Sequence, residues 1–278
     1  MTVDRPLDGQ VAVITGAASG IGQGIALELA KSGASVCILD LKPRRMVHDF
    51  LQRLESFDVK ALYQEVDVRD RSGLEAAAAK MENVCGMADI VVSNAITSQR
   101  HELLHTPFGE LQEAVEVGIY GTFHVLQVFA RRMVVLSRPG SIVQVSSPWA
   151  HYPYAGGIDY RIVKSAQENM AMSLAVELMR QKIRVNTVEP GWVDTEGEHR
   201  WYSPEQMRAE GGRMPLGRLC TPEDIGRAVV YLCQEPYITG SRLKVDGGLA
   251  LTYFEASSGP GTQGGSRSTP GGPPPPKV

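Results

Sequence analysis

Tyr160 and Lys164 lie four residues apart, thirteen and seventeen positions after Ser147. On a helix that spacing puts both side chains on one face. An ammonium beside a phenol favours the phenolate, and each tenfold lowering from the ordinary value near 10 corresponds to roughly 1.36 kcal/mol. A phenol tuned in this way is a general acid/base close to neutral pH. A serine hydroxyl at the same mouth can hold a substrate oxygen against it while hydride passes at the adjacent carbon. The chemistry expected of Ser147, Tyr160 and Lys164 is therefore interconversion of a carbinol and a carbonyl. A Tyr and a Lys at this spacing occur in many helices, so the assignment needs a hydride carrier elsewhere in the chain.

Thr15-Gly16-Ala17-Ala18-Ser19-Gly20-Ile21-Gly22 supplies the place for one. It stands where a first strand turns into a first helix, and there a dinucleotide pyrophosphate rests on free backbone N–H groups, with glycine letting the backbone approach. Asp40, followed by Leu41, ends the second strand 18 residues after Gly22. Its carboxylate can accept from the adenosine ribose hydroxyls, which selects NAD. A 2'-phosphate within about 4 Å would be repelled by roughly 4 kcal/mol at an effective dielectric near 20. Lys42, Arg44 and Arg45 offset part of that, and Asp40 has a purely local alternative as the cap of the following turn. Asp67-Val68 suits the adenine and Asn94-Ala95 the neighbouring ribose, because ligands of open α/β sheets bind beyond strand C-termini. Asp and Asn also favour such positions as turn residues.

The elements that must position these groups are legible as short apolar runs at 11–15, 35–39, 61–65, 90–93, 141–146, 183–188 and 242–245, with helical stretches between most of them. The first helix is expected over 21–31, ended by Gly33. Strand, helix, strand repeated this often implies a parallel sheet, and right-handed crossovers put helices on both of its faces. The expected fold is a doubly wound, Rossmann-like α/β sandwich on seven parallel strands, one domain over residues 1–256. Beyond it, residues 257–278 are almost all Gly, Pro, Ser and Thr with no periodic apolar positions, the composition of a disordered tail.

The bulk chemistry narrows the function class. A net charge of -3 gives no basic field for a nucleic acid backbone. The four cysteines have no CxxC spacing and read as free thiols in a reducing compartment. Neither a bilayer-spanning apolar run nor a signal core is present, so a cytoplasmic location is expected. His101 and His105 have the helical spacing of a metal pair, yet no third ligand completes the set, and no metal is expected.

With these motifs in place, the chain resembles the short-chain dehydrogenase/reductase family of single-domain type over residues 7 to about 252. The TGxxxGxG turn, the acidic end of strand two, Ser147, the YxxxK pair, Pro190-Gly191 and Val245-Asp246-Gly247-Gly248 fall in the family's order. The resemblance implies that Lys164 also contacts the nicotinamide ribose and that Val193 and Thr195 bind the carboxamide. It further implies assembly as tetramers or dimers. Two departures stand out. Ile96 replaces a glycine of the family's Asn-Asn-Ala-Gly, so that loop should be wider or shifted. Gly118 falls where the family has the asparagine that holds a proton-relay water, which leaves three outcomes: a water or another side chain completes the relay, catalysis is weakened, or the cofactor site serves a non-enzymatic NAD-binding sensor or scaffold. Trp149, His151, Tyr152 and Tyr154, with Trp192, Glu196, His199, Arg200, Trp201 and Tyr202, are candidates for the substrate side and its mobile cover. The small-molecule alcohol or ketone itself is not readable, since specificity lies in loops.

Overall fold

The computed structural model describes residues 5–252; the predicted Gly/Pro-rich tail lies outside the described residues. Seven strands, β1 (Val11–Thr15), β2 (Ser35–Asp40), β3 (Ala61–Glu65), β4 (Ile90–Ser93), β5 (Gly140–Val145), β6 (Ile183–Pro190) and β7 (Arg242–Val245), form one sheet in the order β3-β2-β1-β4-β5-β6-β7. Every pairing is parallel, as the near-continuous apolar runs require of strands covered on both faces. The predicted strands are borne out, with β6 two residues longer than its apolar run because Glu189 and Pro190 continue the ladder opposite Lys244 and Val245.

Eight α-helices, α1 (Gly20–Lys31), α2 (His48–Glu55), α3 (Arg71–Val84), α4 (Phe108–Val115), α5 (Thr122–Val135), α6 (Ile158–Leu178), α7 (Pro204–Arg213) and α8 (Pro222–Gln234), surround it among the described residues. Strand side chains alternate between two cores. Ala12, Ile14, Val36, Ile38, Val143, Val145 and Val188 pack with α1, α2 and α8. Val13, Cys37, Val91, Ile142 and Val185 pack with α3, α5 and α6 on the opposite face. Each fully buried aliphatic side chain of this kind contributes about 1.5–3 kcal/mol.

Local signals set the helix ends. Gly33, at φ +99°, takes the left-handed conformation that stops α1. Thr221 and Asp224 form a reciprocal capping box on α8, with Pro222 at its first turn, and Ser203 with Gln206 does the same for α7. Gly24 of α1 faces the Pro222 backbone and Gly226 of α8 faces the Gly24 carbonyl, so the two helices meet backbone to backbone.

The strand order reverses between β1 and β4. Crossovers leave that point in opposite directions and open a crevice beyond the strand C-termini. The loops ending β1, β4, β5 and β6 all reach this edge, and the residues with chemistry collect there.

Candidate active site

Two adjoining cavities occupy the crevice. The larger, about 650 Å³, is lined by Gly16, Ser19, Gly20, Asp40, Leu41, Asp67, Val68 and Ala95 among others. The smaller, about 200 Å³, is lined by Ser147, Tyr160, Lys164, Pro190, Gly191 and Val193. Ile21, Asn94, Ile96 and Thr195 belong to both walls. Of the predicted site residues only Gly22 lies off both walls; it stands beneath the turn, where an added Cβ would strike the Gly16 carbonyl and Ala17.

The glycine turn is built for close approach. Gly16 has φ +64°, and a Cβ there would meet Ala95 Cα at 2.9 Å. Ser19 caps α1 without a side-chain hydrogen bond, which leaves first-turn N–H groups for a ligand. The Asn94 amide is spent on the turn itself, donating to the carbonyls of Thr15 (3.0 Å) and Gly16 (2.9 Å). Asp40 takes up the local role foreseen for it as well: Oδ2 accepts from Ala18 N and Oδ1 from Lys42 N, each at 2.9 Å. These bonds fix the carboxylate facing the larger cavity. Asp67 is gripped by the Arg69 guanidinium, whose hydrogen bond holds its carboxyl below the usual range.

In the smaller cavity, Ser147 is buried at the end of β5 and its Oγ accepts from Trp149 N at 3.3 Å. Lys164 is 2% exposed, donates from Nζ to the Val145 carbonyl at 2.7 Å, and lies 5.6 Å from the centre of the Tyr160 ring. The expectation that the ammonium lowers the phenol is corrected here. Burial pushes the Tyr160 phenol up, the Ser147 hydroxyl pulls it part of the way back, and the same burial pushes Lys164 from 10.5 to about 7, against a raising influence of Glu168. Dehydration penalises both charged forms and outweighs the groups that favour them, Ser147 for the phenolate and Glu168 for the ammonium.

The substrate side contains residues the sequence did not single out. Arg100, in the loop after β4, pairs with Glu198 at 2.6 Å and sits over the rings of Trp201 and Tyr202 at 5.5 and 5.7 Å. Trp192 Nε1 donates to the other Glu198 oxygen at 3.0 Å. Trp149 and Tyr154, 5.2 Å apart, complete the wall. No spacing rule reaches Arg100, because its partner is 98 residues away. Of the other candidates, Glu196 and Arg200 line the larger cavity, while His199 turns to Asp194 at 2.7 Å. His101 pairs with Glu110 at 3.0 Å.

Gly118 lies in a π-helical turn, Glu116–Gly121, that joins α4 to α5. A Cβ there would overlap Val163 of α6, and the Gly118 carbonyl accepts from Gln167 Nε2 at 2.9 Å.

Comparison with known proteins fits this geometry. The family profile described as Enoyl-(Acyl carrier protein) reductase matches residues 16–250. A 3-oxoacyl-(acyl-carrier-protein) reductase of Thermotoga maritima is 32% identical, over 88% of this chain and 99% of its own. The chain belongs to the short-chain dehydrogenase/reductase family. Among solved members of that family, carveol dehydrogenase from Mycobacterium avium in complex with NAD superposes with a TM-score of 0.81 at 26% identity, over 87% of this chain and 98% of its own. Gluconate 5-dehydrogenase from Burkholderia cenocepacia, in complex with NADP and tartrate, also gives 0.81, at 27% identity over 90% and 99%. Both known nicotinamide dinucleotides thus occur among the family's structures similar to this chain. Among the described residues no helix is long and apolar enough to cross a membrane.

Proposed function

We propose that this protein is an NAD-dependent oxidoreductase that interconverts a small, hydroxylated secondary alcohol and its ketone, with Tyr160 as general acid/base. The observation that carries the reading is that Ser147, Tyr160 and Lys164 line one small cavity whose wall is shared with the crevice of the glycine turn and Asp40. The residues present fit a dinucleotide: a backbone cradle where side chains are sterically excluded, an anchored carboxylate, and an adjoining pocket for the reacting end. The bound cofactor supplies the hydride acceptor or donor.

In this reading Ser147 Oγ orients the substrate oxygen and Tyr160 exchanges a proton with it. Lys164 holds the nicotinamide ribose and the phenol in place. Gly16, Ser19, Gly20 and Ile21 hold the pyrophosphate, with Gly22 packed beneath the turn, Asp40 and Leu41 hold the adenosine ribose, and Asp67 and Val68 the adenine. Asn94, Ala95, Pro190, Gly191, Val193 and Thr195 flank the nicotinamide half. Asp40 favours NAD because each of its oxygens keeps a second lone pair for a ribose hydroxyl, whereas a 2'-phosphate would meet like charge.

A cavity of about 200 Å³ falls below the roughly 300–1,000 Å³ of drug-sized sites and suits a small substrate. Its polar wall points the same way, since Arg100 Nη1 is buried without a hydrogen-bond partner and can serve a substrate hydroxyl. Oxidation of an alcohol panel with NAD and with NADP tests the reading. Tyr160→Phe is expected to remove turnover and keep NADH binding; wild-type rates in that variant refute it. A second reading, an NAD-binding sensor or scaffold, is favoured by Gly118 alone. NADH affinity without turnover of any carbinol identifies it. We also infer a homodimer or homotetramer, from the exposed Phe108 of α4, Tyr120 of the π-helical turn, and Phe123 and Val135 of α5, and light scattering at micromolar concentration checks it.

A further inference from the structure

Behind Ser146, on the α6 face of the sheet, three potential ligands converge that the dehydrogenase chemistry does not use. His151 stands in the loop after β5, Glu168 on α6 one turn beyond Lys164, and Glu189 near the end of β6. One ligand atom from each lies within 4.8 Å of the other two. Glu168 and Glu189 are 4% and 0% exposed, so two carboxylates are buried side by side. Such a pair is stable only when a proton or a cation lies between its members.

The protein's own donors do not reach both. His151 Nε2 lies 2.7 Å from Glu168 Oε2 and 3.5 Å from Glu189 Oε1, and one ring N–H serves one carboxylate. Arg242 Nε is 3.6 Å from Glu168 Oε2 on a side chain that is half exposed, too long for a hydrogen bond. Lys244, which faces Glu189 across the β6–β7 ladder, donates to the Tyr152 hydroxyl at 3.3 Å. Both Glu189 carboxylate oxygens are buried with no donor group on them, and the Glu168 carboxylate lies close enough to share a proton with Glu189 where no cation is bound.

We propose that His151, Glu168 and Glu189 form a binding site for a divalent metal ion of the borderline class that includes Zn²⁺. One imidazole and two carboxylates are a donor set of that class. Tetrahedral bonds of about 2.1 Å place neighbouring ligand atoms about 3.4 Å apart. The His151–Glu189 separation already has that value, and the His151–Glu168 pair has to open by only about 0.7 Å, on a loop side chain that is a third exposed. Ser146 Oγ donates to Glu168 Oε1 at 2.7 Å, which anchors that carboxylate with its other oxygen toward His151. Anchoring of this kind is how outer residues orient metal ligands. A +2 ion neutralises both buried carboxylates and gives Glu189 its missing partner, and three protein ligands leave a fourth position for water.

The test uses the full chain freed of metal by chelation, titrated with Zn²⁺ by calorimetry and with Co²⁺ by visible absorption, which reports coordination number. One ion per chain is expected, with Co²⁺ bands of a four- or five-coordinate site. His151→Ala and Glu189→Gln are each expected to remove the stoichiometric heat and the bands while retaining the wild-type far-ultraviolet circular dichroism. Ser146→Ala is expected to weaken binding about 10–100-fold, as loss of an outer anchor does, and it decides the matter if Glu189→Gln does not fold. No stoichiometric binding to the wild-type chain, or wild-type affinity in any folded one of the three variants, overturns the proposal, the latter by placing the ion on other residues such as the cysteines.

Discussion

Lys164→Met separates what the lysine does for chemistry from what it costs the fold. The side chain is 2% exposed and burial takes its ammonium from 10.5 to about 7. At roughly 1.36 kcal/mol per tenfold change in proton affinity, the unfavourable contribution is about 4–5 kcal/mol at pH 6.5 and about 1–1.5 kcal/mol at pH 9.5. The sign follows from the protons bound. The folded value lies below the unfolded one, so between pH 7 and 10.5 the unfolded chain holds more protons and stability rises with pH. Methionine keeps the buried stem and removes the charge, at the expense of the hydrogen bond to the Val145 carbonyl, whose loss costs about 1–3 kcal/mol. The variant should therefore be more stable than the wild type by about 1–4 kcal/mol at pH 6.5 and have lost that advantage by pH 9.5, while its turnover falls to background. Urea unfolding of the cofactor-free protein at pH 6.5, 8 and 9.5 reads the difference. A variant less stable at pH 6.5, or a difference that does not change with pH, refutes the assignment of a dehydrated ammonium to this position.

Three further outcomes are expected. Asp40→Asn should shift the ratio of kcat/KM for NAD over NADP at least tenfold toward NADP, from a repulsion of roughly 4 kcal/mol at full strength; steady-state kinetics with both cofactors checks it. Gly118→Asn should lower stability by about 1–3 kcal/mol through its overlap with Val163, and Val163→Ala in the same chain should recover part of the loss, both read by thermal unfolding. Asp224 caps α8 and is held well below the usual carboxylate range first of all by the Arg218 hydrogen bond. Its folded-state value is the lower one, so its stabilisation is present above about pH 4 and fades as the medium becomes more acidic. Asp224→Ala should cost about 0.5–2 kcal/mol at pH 7 and progressively less below pH 4, measured by denaturant unfolding at the two ends of that range.

The sequence carried the sheet because its signals are local. Runs such as Val11–Thr15 and Ile90–Val92 are apolar on both faces, and glycines and prolines punctuate the chain between strands. The lining of the larger cavity was legible for the same reason, since Gly16, Gly20 and Asp40 reach it through backbone conformation and strand-end position. What stayed hidden depends on pairing at long range. Arg100 meets Glu198 across 98 residues, and His151 meets Glu168 and Glu189 only because β5, α6 and β6 are neighbours in space. The direction of the Tyr160 shift was misread for a related reason. Spacing shows that a lysine is near, but only the enclosed site shows how little water remains to support either charge.

Two polar residues on the inner face of α6 explain how this member of the family accommodates its departures. A helix laid against a parallel sheet is normally apolar there, yet Gln167 and Glu168 are 1% and 4% exposed. Gln167 spans the gap left by the glycine, donating to the Gly118 carbonyl at 2.9 Å and to Thr122 Oγ1 at 3.0 Å, so the π-helical turn keeps its contact with α6 without an asparagine. Replacing Gln167 by leucine removes the amide donor from that carbonyl and from Thr122, at about 0.5–1.5 kcal/mol per hydrogen bond lost. The carbonyl that the turn presents toward α6 is thereby committed to an amide. Glu168, one turn further along the same helix and bonded to Ser146, is the ionisable neighbour that raises the proton affinity of Lys164. A catalytic face and a candidate metal cluster thus share one helix, and substitutions at Glu168 should alter both cobalt coordination and the pH profile of turnover.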